Sequence, residues 1–515
     1  MFARNPASRW SLYGWSLIFI WTLFQALQWP LLPRFVDIYY HLNVMKGFAD
    51  AGGYVTTAFW ENAPLGRPHL YPPLLHIWMW MVFKLGLPAI SVGRLVDCLS
   101  YPALLFVWYR VASHLYSPRV AFWALVLYAS SYSATLSSVT LAAFNLAFIL
   151  GLLALCNAEK GRGWRGGLLL GLCFYTHTFA ACLFSFSMVL NACFAPQKCR
   201  VYMASILAGI VTAAPFLIYQ IHFKDFFGFV TARENSLWEA DLLVYGLLIP
   251  ALWGYTKLKV NANVRWALCL MLGMLPLVLT HPVRFFGGQG MMGAALLAAV
   301  MLDAMAKNEK WLKADAALRT SVSAFFLFFV LFLAPHAEWR PDIRKLSLGW
   351  ADRTMTRFVR PDLASNVRDN SFSIFYKKPY QEIAKVIREN SKPDDILWAD
   401  FPYVAGIMSL LTDRATSCAM LAEMRPYEES NRLSDARILL WFRDKDGQPL
   451  QGMWETARQY DLKLIQETEM GYVFQNPKDF KKSSLPKPLI PAIWLAILGV
   501  AAMGVVLASL DINVN

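Results

Sequence analysis

Charge is scarce in this chain. Asp, Glu, Lys and Arg make up 16% of its 515 residues, whereas 57% are hydrophobic. A soluble domain carries about 25% charge, so the balance excludes an ordinary soluble protein. Cysteine is scarce as well: eight residues, with Cys98, Cys173, Cys182 and Cys269 inside apolar stretches and only Cys418 in a polar region. That pattern excludes a disulfide framework. No glycine-rich phosphate loop follows any predicted strand, which leaves no nucleotide site. No nucleic-acid signature accompanies the formal charge of +13. Internal repeats and low-complexity tracts are also lacking, and the first apolar run is followed by no small-residue cleavage site.

What is present is apolar length. Hydrophobic runs fall at about 11–32, 90–112, 120–137, 141–157, 166–180, 180–195, 201–221, 241–256, 266–280, 288–305, 320–335 and 488–510. A span needs about 20 residues. Cationic residues sort by gap: Lys160, Arg162 and Arg165; Lys198 and Arg200; Lys257, Lys259 and Arg265; Lys307, Lys310, Lys313 and Arg319. These gaps alternate and share a side with Arg4 and Arg9, provided that Leu70–Leu87 is a re-entrant or interfacial segment. By the positive-inside rule that side is cytoplasmic.

The expected fold is therefore a polytopic α-helical membrane protein of about 12 transmembrane helices with a small C-terminal extracytoplasmic α/β domain. Residues 1–335 form the membrane core, with a large first outer loop at 33–89; residues 336–487 form the α/β domain; residues 488–515 hold a C-terminal transmembrane helix. Both termini are expected in the cytoplasm. In the α/β domain, helical spacing at Tyr380–Asn390, Val404–Leu411 and Met453–Tyr460 alternates with strands at Ile396–Ala399, Ile438–Phe442, Leu462–Ile465 and Tyr472–Phe474, after an amphipathic stretch at Trp350–Phe358.

Polar chemistry gathers in the outward gaps. If Asp37 begins a helix, His41 lies one turn later on the same face. An acid and an imidazole so placed could take a proton from a hydroxyl or hold a metal. An acid at a helix N-terminus is equally a stabilising feature. Arg284, in Thr280-His-Pro-Val-Arg-Phe-Phe, sits where a helix emerges and offers a planar fork for phosphate oxygens; it is equally placed to snorkel to headgroups. Arg233 is a second phosphate-binding candidate. His177 and His281 stand at outer turns, either as structural histidines or at an acceptor pocket. Arg67 and His69 either shape the first loop or meet the acceptor.

The acid-then-aromatics segment Asp37-Ile-Tyr39-Tyr40 after the first helix, and Leu65-Gly-Arg-Pro-His-Leu-Tyr-Pro-Pro-Leu-Leu-His76 at the end of the same loop, resemble the GT-C membrane glycosyltransferases. These include oligosaccharyltransferase catalytic subunits, protein O-mannosyltransferases and the lipid A aminoarabinose transferase. The resemblance implies sugar transfer from a polyprenyl-phosphate or -diphosphate carrier to a cell-envelope glycan, lipid or protein, in a bacterial inner membrane. It maps the family's first-loop acid onto Asp37. In the reading built on it, Asp37 acts as base on, or orients, the acceptor nucleophile, with His41 in support and Arg284 on the lipid phosphate. The implied partners are the lipid-linked donor and membrane lipids; no nucleic acid and no protein partner is assigned.

Three departures from the oligosaccharyltransferase pattern stand out. Ser131–Ala143, where an acidic pair belongs, contains no acid; Trp398-Ala-Asp-Phe-Pro402 only echoes the acceptor motif; no glutamate stands out as a later metal ligand. No cofactor is therefore assigned, and a divalent metal stays open. An oligosaccharyltransferase-like enzyme, a noncatalytic membrane subunit and a transporter are the alternatives.

Overall fold

A computed structural model describes residues 6–33, 35–131, 134, 142–227, 238–248, 262–307, 315–330, 335–339, 344–348, 378–420, 433–443, 448–478 and 485–510. The helices are α1 (Pro6–Leu27), α2 (Val36–Asp50), α3 (Leu74–Lys84), α4 (Ala89–Leu115), α5 (Pro118–Ala129), α6 (Ala142–Glu159), α7 (Gly163–Phe174), α8 (Thr178–Phe194), α9 (Cys199–His222), α10 (Ala262–Gly273), α11 (Leu277–Thr280), α12 (Pro282–Phe286), α13 (Met292–Ala306), α14 (Ala316–Phe328), α15 (Lys378–Asn390), α16 (Pro402–Thr412), α17 (Met453–Gln459) and α18 (Ala492–Leu510). Among the described residues, five helical stretches are long and apolar enough to cross a bilayer: 89–115, 142–159, 196–222, 282–306 and 492–510. Shorter apolar helices, α3 and α5 among them, accompany these.

Local chemistry sets several boundaries. Ser117 caps α5 by accepting the Val120 N–H at 3.2 Å, and Pro118 fills the first turn, where its missing N–H costs nothing. Asp315 caps α14 in the same way, accepting from Ala317 and Leu318. Pro402 opens α16, and Asp413 closes it in the left-handed region at φ 61°. Leu70–Leu87 contains one helix, α3, of 11 residues. At about 1.5 Å per residue that is too short to cross.

The charged ends of the helices gather together. Asp303, near the end of α13, pairs with Arg119 at the start of α5 and with Lys307. Glu159, closing α6, receives Lys198, Arg265 and the Tyr202 hydroxyl. These are the positive gaps that the sequence assigns to one side. The outward gaps meet one another elsewhere. The Leu74 N–H donates to the Tyr175 carbonyl at 2.8 Å, Gln220 Nε2 to the Leu70 carbonyl at 2.9 Å, and the Tyr219 hydroxyl to the Thr56 carbonyl at 2.7 Å.

A four-stranded sheet lies between α15 and α18, in the order β7 (Leu397–Ala399), β8 (Ile438–Phe442), β10 (Gly471–Gln475) and β9 (Lys463–Glu467). The β7–β8 pair is parallel; the others are antiparallel. The helices α15, α16 and α17 interleave with these strands as the sequence pattern predicts. The stretch Trp350–Phe358 lies outside the described residues. Separately, β1 (Gly53–Tyr54) pairs with β11 (Ile490–Pro491), β2 (Thr57–Ala58) pairs with β3 (Arg67–Pro68), and β4 (Trp238–Asp241) pairs with β5 (Pro335–Trp339), which pairs with β6 (Arg344–Leu348).

The first loop packs on this α/β unit. Asn43 donates to the Gly406 carbonyl at 2.8 Å, the Thr416 N–H to the Trp60 carbonyl at 3.0 Å, and the Ala63 N–H to the Thr416 carbonyl at 3.0 Å. One apolar core runs through both: Leu42, Met45 and Phe48 of α2 join Ile407 and Met408 of α16 and Ile438 of β8. Complete burial of such side chains stabilises by about 1.5–3 kcal/mol each, so loop and unit are held as one body. The described residues of 33–89 and of 397–475 thus lie on the same side of the helical core.

Candidate active site

Helix α2 carries the first candidates. Its N-cap is Phe35, which supplies no side-chain cap, and Asp37 stands in the first turn. There the exposed N–H groups and the helix dipole favour a carboxylate. Asp37 is half-buried. One turn on, His41 is buried, and its Nδ1 lies 2.8 Å from Nε2 of His76. The sequence reading gives His41 to Asp37; in the structure the imidazole turns to His76 of α3. One ring of this pair donates its N–H to the lone pair of the other, so at least one is neutral. Burial holds His41 down to about 3. It also lowers His76 well below its ordinary value, with the neighbouring imidazoles adding to the effect.

Rings continue from this pair in both directions. Tyr40 and Tyr71 pack on His41 with centroids 5.5 and 5.1 Å away. His69 lies 5.8 Å from His76 and is enclosed by Phe48, Tyr54 and Trp60. Burial first, and then the charge of Arg67, hold His69 down to about 3. On the other side Tyr71 meets His177 at 6.4 Å, and His177 meets Phe144 of α6 at 4.9 Å. The Arg284 guanidinium sits over the Phe144 ring at 5.0 Å, a cation–π distance. It is near enough to His177 and His281 to act on both electrostatically. A continuous path of side chains therefore joins Arg284 to the first loop.

The remaining candidates have structural employment. Arg67 and Glu61 form an ion pair with both side chains completely buried. The other Arg67 contacts are the Pro68 carbonyl at 2.9 Å and the Tyr40 hydroxyl at 3.4 Å, and the second oxygen of Glu61 accepts the Met420 N–H at 2.8 Å. Arg67 thus ties the loop to α2 through Tyr40 and, by way of Glu61, to the α/β unit. Both ends of the pair are hydrogen-bonded, as a buried pair requires. His177 caps α8, accepting the Ala180 N–H at 3.3 Å. His281 stands at the junction of α11 and α12. Arg233 lies outside the described residues, as does most of Ser131–Ala143.

Sequence reasoning did not single out Glu61, Tyr71, His76 or Phe144. No spacing rule links them to their partners. The only signal was the density of aromatic and imidazole residues in 65–76. Asp400, in the Trp398–Pro402 echo, accepts the Phe442 N–H at 3.0 Å and binds β7 to β8. Among the described residues no group of three or more His, Cys, Asp or Glu stands where it could hold a metal ion. The imidazoles around His76 therefore form no metal cradle.

No family model matches the sequence, and no curated protein matches it significantly. Solved structures do match in shape. The apo structure of ArnT from Cupriavidus metallidurans aligns with a TM-score of 0.54 at 12% identity, covering 92% of this chain and 98% of that one. The same ArnT bound to undecaprenyl phosphate aligns at 0.53 and 11%, covering 90% and 98%. The archaeal oligosaccharyltransferase AglB from Archaeoglobus fulgidus, in complex with an inhibitory peptide and a dolichol-phosphate, aligns at 0.52 and 10%, covering 82% of this chain and 66% of that one. At such identities the likeness is one of fold: this chain shares the fold of ArnT and of the archaeal oligosaccharyltransferase.

Proposed function

We propose that this protein is a glycosyltransferase that moves a sugar from a polyprenyl-phosphate-linked donor to an acceptor at the extracytoplasmic face of a bacterial plasma membrane. The observation that carries this reading is the convergence of the first loop, the His177 turn and Arg284 at one end of a GT-C fold. The undecaprenyl phosphate bound by ArnT and the dolichol-phosphate in the AglB complex support the class of carrier. The positive gaps support the side.

In this reading Arg284 receives the lipid phosphate through its fork of N–H donors. Phe144 and His177 fix the height of the guanidinium. The acceptor nucleophile attacks the anomeric carbon as the carbon–oxygen bond to the phosphate breaks, and that electron pair leaves with the polyprenyl phosphate. The proton of the nucleophile passes to the Asp37 carboxylate and from there to water. The neutral His41–His76 pair holds α2 against α3 and so positions Asp37.

The test is sugar transfer from a polyprenyl-linked donor by purified, folded Asp37→Asn protein. Turnover should fall by roughly 10²-fold or more, the usual contribution of general acid–base catalysis. Stability should change by only about 0.3–1 kcal/mol, the worth of an acid at a helix end. Near-normal transfer would remove Asp37 from the reaction.

A further inference from the structure

A cavity of about 520 Å³ lies behind the first loop, on the opposite side of the 70–77 segment from the histidines. Tyr71 and His76 face the candidate active site, whereas Pro73, Leu74 and Ile77 face the cavity. Its far walls are Thr212 and Phe216 of α9 and Leu495 and Ala502 of α18. The volume lies within the roughly 300–1,000 Å³ of small-molecule sites.

The cavity has two unlike ends. Toward the bilayer its rim is Pro215, Leu498 and Leu489, all exposed and apolar, the two leucines at 51% and 66%. Leu498 and Pro215 belong to two of the helices long enough to cross a membrane, so this mouth opens onto hydrocarbon. Toward the loop stand Tyr54, Tyr175 and Tyr219, near enough to act on one another electrostatically. The Tyr219 hydroxyl donates to the Thr56 carbonyl. Among the described residues those of Tyr54 and Tyr175 carry no hydrogen bond. An apolar body with phenols at one end matches the membrane interface. Among the described residues, no lysine, arginine or histidine lines the cavity.

We infer that this cavity holds one acyl chain of a bilayer glycerophospholipid, which enters between α9 and α18 and places its ester and phosphodiester oxygens against Tyr54 and Tyr175. The free polyprenyl phosphate left after sugar transfer does not fit these walls, because its phosphate monoester requires cationic partners and among the described residues the lining offers none. A zwitterionic or singly charged phosphodiester is served by neutral donors. The bound chain packs α18 against α3 directly beneath the loop. The inference rests on the membrane-embedded fold alone and stands whether or not the chain transfers sugar.

The experiment is native mass spectrometry of the full chain released from nanodiscs of palmitoyl-oleoyl phosphatidylglycerol doped with undecaprenyl phosphate. The wild type should retain one phosphatidylglycerol. Ala502→Phe, which fills the cavity, should reduce retention by at least about tenfold; the paired Tyr54→Phe and Tyr175→Phe changes should reduce it several-fold. If Ala502→Phe does not fold, Leu498→Trp at the exposed mouth makes the same test, and a benzoylphenylalanine at Leu172 inside the cavity should crosslink phosphatidylglycerol. Retention unchanged by filling, no retained phospholipid, or undecaprenyl phosphate as the retained and crosslinked species would each overturn the assignment. Loss of sugar transfer in Asp37→Asn bears on the enzymatic reading and leaves this result untouched.

Discussion

Removal of Glu61 tests how the first loop is held. Glu61 and Arg67 are both fully buried and paired, and the second Glu61 oxygen accepts the Met420 N–H. The substitution Glu61→Gln leaves the Arg67 charge in place without its counter-ion. Breaking a buried pair from one side costs about 3–5 kcal/mol. The cost should appear where the loop meets the α/β unit, because Asn62, Ala63 and Glu61 all bond there to residues 416–420. Cys418 lies in that seam, buried, its thiol pushed up mainly by burial. In a background with the other cysteines replaced, the rate at which maleimide labels Cys418 measures opening of the seam. At 1.4 kcal/mol per factor of ten, 3–5 kcal/mol corresponds to labelling faster by roughly 10²–10⁴-fold. The double change Glu61→Leu with Arg67→Met removes both charges and should label within about tenfold of the wild type, because apolar replacement of a whole pair is often neutral. Labelling of Glu61→Gln within threefold of the wild type, or a double variant as open as the single, would refute the reasoning.

Three further outcomes follow from the site. Arg284→Ala should weaken use of a lipid-linked donor more than Arg284→Lys, which keeps charge but loses the fork; equal, wild-type-like donor use would take Arg284 out of the site. His41→Ala should slow transfer less than Asp37→Asn, since His41 acts through the fold of α2; a larger loss would give the imidazole a direct role. Acid should destabilise the fold through the buried histidines: His41 and His69 stay neutral when folded, down to about 3, but bind protons below 6.5 when unfolded. Their stabilisation is complete above pH 6.5 and is lost as pH falls toward 3, by about 2 kcal/mol per imidazole at pH 5. Asp400, held up to about 6 by burial, works in the opposite direction, so the comparison is between the wild type and His69→Phe. His69→Phe should lose less thermal stability between pH 7.5 and 5 than the wild type, and identical losses would exclude His69 as a source.

The apolar helices and their charged ends were legible because their physics is local. Charge scarcity, apolar length and cationic gaps are read along the chain, and the gaps around Glu159 and Asp303 do gather as charge clusters. The α/β alternation from Tyr380 to Phe474 was legible for the same reason; the helix that the sequence offered as a condition for Asp37 starts at Val36, with Asp37 in its first turn. What the sequence hid is long-range. His41 and His76 are 35 residues apart, and Glu61 and Met420 are 359 apart; no periodicity encodes either contact. Nor does hydrophobicity tell a wall of an internal cavity from a lipid-facing side: Leu495 is buried, whereas Leu498 on the same helix is half-exposed.

The clasp between the first loop and α18 bears on how such a chain comes into being. Gly53 and Tyr54 pair with Pro491 and Ile490, and a Cβ on Gly53 would collide with the Ile490 carbonyl oxygen at 2.1 Å. Trp78 donates to the Gly499 carbonyl, 421 residues further along the chain. At about 5–20 residues per second, a ribosome needs roughly 20–85 s to cover that distance. Throughout that interval the loop waits with its partner strand unmade. A chain broken off before Leu489 would insert most of its helices and still present an unclasped loop. Quality control in the cell therefore has one late event to monitor, the arrival of α18.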